Sequence, residues 1–201
     1  MQKKIAQSIS IVFHPIVLPS LGMLLLMNSG FYFELLTKEA LHFIMLVIFF
    51  ATCVLPLLSL SALMLNPKFD RNMSRSTDRI FPLLITAVFY YFGFILLRKV
   101  PIFPIIRLFL LAGILVIIAS LLISIKWKIS LHMASLGSLS GLFFALSFRN
   151  GINPVYSLLL IIIVSGLVGT ARLLLHKNNI GQILAGFLVG FVIFYGLIYF
   201  V

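Results

Sequence analysis

The sequence predicts an all-α integral membrane protein, a helical bundle of six to seven transmembrane helices folded as a single polytopic domain over residues 1–201. Three observations carry this expectation. Hydrophobic residues fill 62% of the 201 positions and charged residues only 9%, whereas a soluble domain holds about 45–50% and about 25%. So thin a polar shell cannot cover that much apolar surface in water. The apolar residues also fall into continuous runs of about 20, the helix length that crosses a hydrocarbon core about 30 Å thick. Finally, the runs lack the period-2 alternation of a transmembrane β-barrel strand.

In chain order the runs span 5–27, 41–65, 80–97, 103–125, 130–148, 155–175 and 181–200, each bounded by charge, Asn, Gly or Pro. The first follows Lys3-Lys4 in the manner of a secretory leader, but no A-x-A-like cleavage site follows it, so it reads as a retained span. Pro15 and Pro19 inside the first run, and Pro56 inside the second, remove backbone donors and are expected to kink those helices. Pro82, Pro104 and Pro154 fall in first turns, where the missing N–H costs little. The fifth and seventh runs carry Gly137-x3-Gly141 and Gly186-x3-Gly190, a spacing that lets two helices approach closely in a bilayer. Trp127, flanked by Lys126 and Lys128, reads as an interfacial anchor. Only the connection 66–79 is long, and the chain shows no soluble domain, internal repeat or low-complexity tract.

Charge sets sidedness and narrows function. Fifteen Lys and Arg against four Asp and Glu give a net charge of +11. The basic residues are scattered between apolar runs and not gathered on a polar domain, which points to membrane lipids and an anionic ligand and away from nucleic acid. Seven spans place the N-terminus, 66–79, 126–129 and 172–180 on one face, with Lys3, Lys4, Lys68, Arg71, Arg75, Arg79, Lys126, Lys128, Arg172 and Lys177. The other face receives 28–40, 98–102, 149–154 and the C-terminus, with Lys38, Arg98, Lys99, Arg107 and Arg149. Ten against five puts the first face inside, in a cell (inner) membrane. The four acids, Glu34, Glu39, Asp70 and Asp78, are expected in loops, which disfavours a small proton-coupled transporter. Cys53 is the only cysteine, so no disulfide framework exists. His14 and His42 read as hydrogen-bonded structural residues with no Cys, Asp or Glu at ligand spacing, so neither metal nor cofactor is expected.

Three segments on the basic face carry the chemistry: Arg71 to Pro82 with Arg75 and Arg79 between, Lys126 to His132 with Lys128 and Ser130, and Thr170 to Gln182 with Arg172, His176 and Asn178. Arginines from separate segments, with helix N-termini, supply the forked donors and positive partial charge that a phosphate group needs. Imidazole adds proton transfer or nucleophilic attack near neutral pH.

In residue types and spacing, residues 68–190 resemble the type-2 phosphatidic acid phosphatase superfamily, whose soluble relatives include vanadium haloperoxidases. That family carries K-x6-R-P, then P-S-G-H, then S-R-x5-H-x3-D-V-x2-G. Ser130-Leu-His132 is similar to the S-G-H of the second motif, with Lys128 near the place of its proline. The third motif keeps register from Ala171-Arg172 through Asn178 and Gln182-Ile183 to Gly186, and Arg75 or Arg79 would supply the first-motif arginine. The resemblance implies that His132 is the acid that protonates the leaving group and Arg172 a phosphate clamp. Arg75 or Arg79, with Lys68 or Arg71, would complete the clamp, and no metal would be needed. Asn178 stands where the family has its nucleophilic histidine, and Gln182 replaces the orienting aspartate. His176, two residues earlier, could substitute as nucleophile if residues 173–180 form a loop and not helix. The expectation is a phosphatase-like membrane protein that hydrolyses or binds a phosphorylated lipid of the phosphatidate or polyprenyl diphosphate class; the alternative is an inactive member of the fold with a binding or structural role.

Overall fold

A computed structural model describes residues 2–30, 33–65, 77–98, 104–151 and 153–201. Its helices are α1 (Gln2–Val12), α2 (Leu18–Met27), α3 (Lys38–Phe49), α4 (Leu55–Met64), α5 (Ile80–Arg98), α6 (Pro104–Ser124), α7 (Leu131–Asn150), α8 (Val155–Leu174) and α9 (Ile180–Phe200). No strand occurs among the described residues. Among the described residues, six segments are long and apolar enough to cross a membrane: the continuous Lys38–Met64, which contains α3 and α4, and α5 to α9. The protein is thus an all-α, multi-pass integral membrane bundle, and the later span boundaries agree with the apolar runs to within a residue or two.

The two proline-bearing runs depart from simple kinks, in different ways. The run 5–27 is not one helix: α1 stops at Val12 and α2 starts at Leu18, with a turn in which Val17 N–H donates to the His14 carbonyl at 2.9 Å. Pro15 has no N–H to continue α1 and pushes His14 out of helical geometry, while Pro19 sits in the first turn of α2, where it is tolerated. Neither piece is long enough to span alone, so six long segments remain among the described residues and the first run is broken. At Pro56 the chain keeps its helical course. The turn before it widens into a π-helix, Phe50–Val54, in which Leu55 N–H reaches back five residues to the Phe50 carbonyl. Widening one turn removes the clash between the proline ring and the preceding carbonyl. Glu39, expected in a loop, lies instead in the first turn of α3, whose N-cap Thr37 accepts from Ala40 N–H at 3.3 Å.

α7 is the central helix, with 72% of its span buried against 22–39% for the other five. Its small residues explain that position, because helices in lipid associate by close packing without a hydrophobic drive between them. A Cβ at Gly137 or Gly141 would overlap the carbonyl oxygen of Phe187 or Phe191 on α9, and one at Gly186 or Gly190 would overlap that of Ser130 or Ala134. The two glycine pairs therefore face each other, and the backbones of α7 and α9 touch. Buried hydroxyls in α7 are satisfied within the helix, Ser138 donating to the Ala134 carbonyl at 2.8 Å and Ser140 to that of Leu136 at 3.0 Å. At the far end of the pair, Arg149 donates to the Ile198 and Val201 carbonyls at 2.7 and 3.2 Å, a cation on the negative end of α9. Around this pair, α6 packs on α5 and α9, α8 on α7, and α1 on α8.

Candidate anion-binding site

The N-terminus of α7 points into a cavity of about 360 Å³. The turn between α1 and α2 brings His14 to it, the turn before α5 brings Arg79, and α5 brings Pro82, Thr86 and Tyr90. The turn before α7 supplies Lys128, the first turns of α7 supply His132 and Ser135, and the α8 end and the loop after it supply Arg172 and Lys177. The rest of the wall is mostly apolar, including Leu60 and Met64 of α4, Leu83 of α5 and Val116 of α6. Four cationic side chains line this space and, among the described residues, no Asp or Glu does. Burial lowers the Arg79 guanidinium from its ordinary value. It lowers the Lys128 ammonium as well, with further lowering from Arg79, Lys177 and Arg172. Like charges crowded together raise the cost of each other's ionised form, and an anion among them removes that cost.

The two arginines are held by hydrogen bonds to other parts of the chain. Arg79 donates to the Ile129 carbonyl at 3.1 Å, clasping the turn that leads into α7. Arg172 sits in the last turn of α8 and donates through Nε to Asn178 Oδ1 at 3.0 Å and through a terminal nitrogen to Ser10 Oγ at 3.2 Å. Asn178 Nδ2 in turn donates to Gln182 Oε1 at 3.1 Å. That oxygen also accepts from Asn179 N–H at 3.2 Å, while Asn179 Oδ1 accepts from Gln182 N–H at 2.9 Å. The last two bonds are a capping box that starts α9. Asn178 is buried, and both ends of its amide are used, as a buried amide requires. His132, also buried, directs Nε2 to the Ser10 carbonyl at 3.0 Å, with Ser10 Oγ at 3.3 Å, and meets the His14 ring edge to face at 5.5 Å between centroids.

Of the residues singled out by sequence, Arg79, Lys128, His132 and Arg172 line one cavity, although they come from three separate segments. Others sit elsewhere. Ser130 is not on the cavity wall; its N–H donates to the Gln182 carbonyl at 3.2 Å, its carbonyl faces Gly186, and its buried hydroxyl has no partner among the described residues. Asn178 and Gln182 stand behind Arg172 and hold it, and neither lines the cavity. The loop expected around His176 does form, since α8 ends at Leu174 and α9 begins at Ile180. The His176 side chain nevertheless is exposed and off the cavity wall, on a residue at φ 50°. A left-handed turn after α8 directs position 176 outward and lets the chain return inward at Asn178. Arg71 and Arg75, with Lys68, lie outside the described residues.

Sequence reasoning set aside His14 as structural, counted Lys177 only toward sidedness, and passed over Ser10. A histidine next to the proline that interrupts an apolar run was a usable signal for His14; Ser10 had none. No cluster of three metal-ligating side chains occurs among the described residues. The arrangement can bind a tetrahedral oxyanion through guanidinium, ammonium and imidazole donors, with apolar wall for a chain attached to it. Neither position that the resemblance offers for a nucleophile lines the cavity among the described residues: Asn178 is an amide behind Arg172, and His176 is exposed. No family model, no curated protein and no solved structure matches this chain.

Proposed function

We propose that the protein binds the phosphate group of a phosphorylated lipid, of the phosphatidate or polyprenyl diphosphate class, at the basic face of a cell membrane, and holds it without hydrolysis. The observation that carries this reading is the composition of one cavity wall: Arg79, Lys128, Arg172, Lys177 and His132, with no Asp or Glu among the described residues lining it, beside an apolar remainder. Charged side chains buried near a membrane core are costly and tend to be functional, and forked guanidinium donors match phosphate oxygens. The resemblance of residues 68–190 to lipid-phosphate phosphatases supports the same ligand class. What supports binding in place of turnover is position 178, where an asparagine amide spends its oxygen on Arg172 and its nitrogen on Gln182.

Purified protein in lipid nanodiscs tests the reading directly. Saturable binding of a lipid phosphate, absence of binding by the corresponding alcohol, and no release of inorganic phosphate are the expected results. Release of phosphate would make the protein a lipid-phosphate phosphatase, and failure to bind any lipid phosphate would sink the proposal.

A further inference from the structure

The N-terminal segment lies outside residues 68–190, which carry the phosphatase resemblance, yet it reaches the centre of the site. The Ser10 carbonyl is 3.0 Å from His132 Nε2. A carbonyl only accepts, so Nε2 carries the proton, and in the neutral ring Nδ1 is left as an acceptor. The Ser10 hydroxyl meanwhile accepts from Arg172 at 3.2 Å. One residue of α1 thus holds both an imidazole of α7, 122 positions away, and a guanidinium of α8, 162 positions away.

Four residues on, His14 lines the same cavity. The N–H of Ile16 reaches its Nδ1 at 3.4 Å, so the proton of the neutral ring is on Nε2. That group has no hydrogen-bond partner among the described residues, and it is the donor His14 can offer to the cavity. The edge-to-face contact with His132 sets its ring against the one Ser10 fixes. The break at Pro15 ends α1 here, so the chain turns in front of α7 where a continuous helix would have passed on.

We propose that this N-terminal segment is a working part of the anion site, with His14 donating Nε2–H to a bound phosphate and Ser10 acting as the positioning residue for His132 and Arg172. The inference rests on the phosphate-binding reading above and adds to it a contact that residues 68–190 do not contain.

The full-length protein in nanodiscs, with hexadecyl phosphate as probe and hexadecanol as control, tests it. His14→Phe keeps an aromatic edge against His132 and removes the donor; His14→Gln restores an N–H. Loss of one hydrogen bond to a charged group weakens binding about tenfold or more, so the Phe variant is expected to lose at least about tenfold and the Gln variant to recover most of it. Equal binding by wild type and the Phe variant overturns the role of His14, as does a folded Gln variant no better than Phe. For Ser10, ¹⁵N NMR of ring-labelled histidine in the wild-type protein is expected to show His132 protonated on Nε2; an Nδ1–H tautomer overturns the positioning role without any variant having to fold. Wild-type protein that binds no hexadecyl phosphate removes the functional reading itself, whereas wild-type binding with His14→Phe unchanged sinks only the N-terminal assignment.

Discussion

Toward α9, α7 presents Gly137 and Gly141, and α9 answers with Gly186 and Gly190, so that two backbones meet with no side chain between them. At the N-terminal end of the same helix, His132 and Ser135 face a cavity of about 360 Å³ walled by side chains from five other parts of the chain. The closed side is complete in itself, since removing side chains is what allows the packing. The open side gathers like charges that repel one another, a cost that an anion placed among them would lift. The difference shows how a small bundle can place a charged site at a membrane boundary: the glycine contact holds α7 in place, and α7 sets where the imidazole stands.

The largest effect is expected on the closed side. Gly137→Ala and Gly190→Ala put a Cβ into a backbone carbonyl that cannot rotate away, at a cost of about 1–3 kcal/mol for a single added carbon, and thermal unfolding in detergent measures it. Gly166→Ala and Gly196→Ala are the matched controls, because a Cβ there meets nothing within 4 Å, and replacing a helical glycine with alanine stabilises by about 0.5–1 kcal/mol. Equal melting points across all four variants would dissolve the contrast between closed and open sides.

On the open side, Arg172→Ala removes a phosphate donor and also leaves Asn178 Oδ1 without its Arg172 partner. Affinity for a lipid phosphate is expected to fall by about tenfold to a hundredfold, in line with a hydrogen bond to a charged group. Arg172→Lys is expected to recover only part of it, because an ammonium cannot keep Asn178 and Ser10 and still fork onto an anion. Binding isotherms in nanodiscs decide this, and an Ala variant that binds like wild type would remove Arg172 from the site.

A smaller effect is expected from pH. Lys128 is lowered in the folded protein, first by burial and then by its cationic neighbours. Its charged form is therefore a cost to folding, and that cost lifts as pH rises through the lowered value, so this group makes the protein more stable on the alkaline side. Anion affinity runs the opposite way, since a bound phosphate favours charged Lys128, and it is expected to fall with rising pH below the ordinary lysine range. Lys128→Arg keeps its charge and should flatten that fall; an unchanged profile would show that Lys128 does not face the ligand.

The smallest signal is expected from Asn178→His, which returns an imidazole to the position where the resembled family has its nucleophile, next to Arg172 and Gln182. Because position 178 lies behind Arg172 and off the cavity wall, no acid-labile phosphoprotein is expected after incubation with a lipid phosphate. A phosphoprotein formed in a folded, phosphate-binding variant would show that position 178 reaches the bound phosphate.

Much of the frame was legible in advance because its signals are local. Run length and bounding polar residues placed α5 to α9 within a residue or two, and span parity alone put Arg79, Lys128, His132 and Arg172 on one side of the bilayer. The glycine pairs were readable because their four-residue spacing acts directly through backbone approach. Proline gave the position of a disturbance but not its outcome. Pro15 ended a helix and Pro56 was absorbed as one widened turn, a choice that depends on whether neighbouring packing supports continuation.

By itself the sequence determined that the chain belongs in a membrane, and that it does so as a helical bundle. Both follow from composition and from the length of apolar runs, which act residue by residue along the chain. Only the tertiary structure decided which polar groups share a cavity. Ser10 meets His132 and Arg172 across more than a hundred positions, His14 joins them, Asn178 and Gln182 turn inward to hold an arginine, and His176 turns out. Those outcomes depend on the rotation of each helix about its axis and on one left-handed residue after α8, quantities set by packing between distant segments and written in no single stretch of sequence.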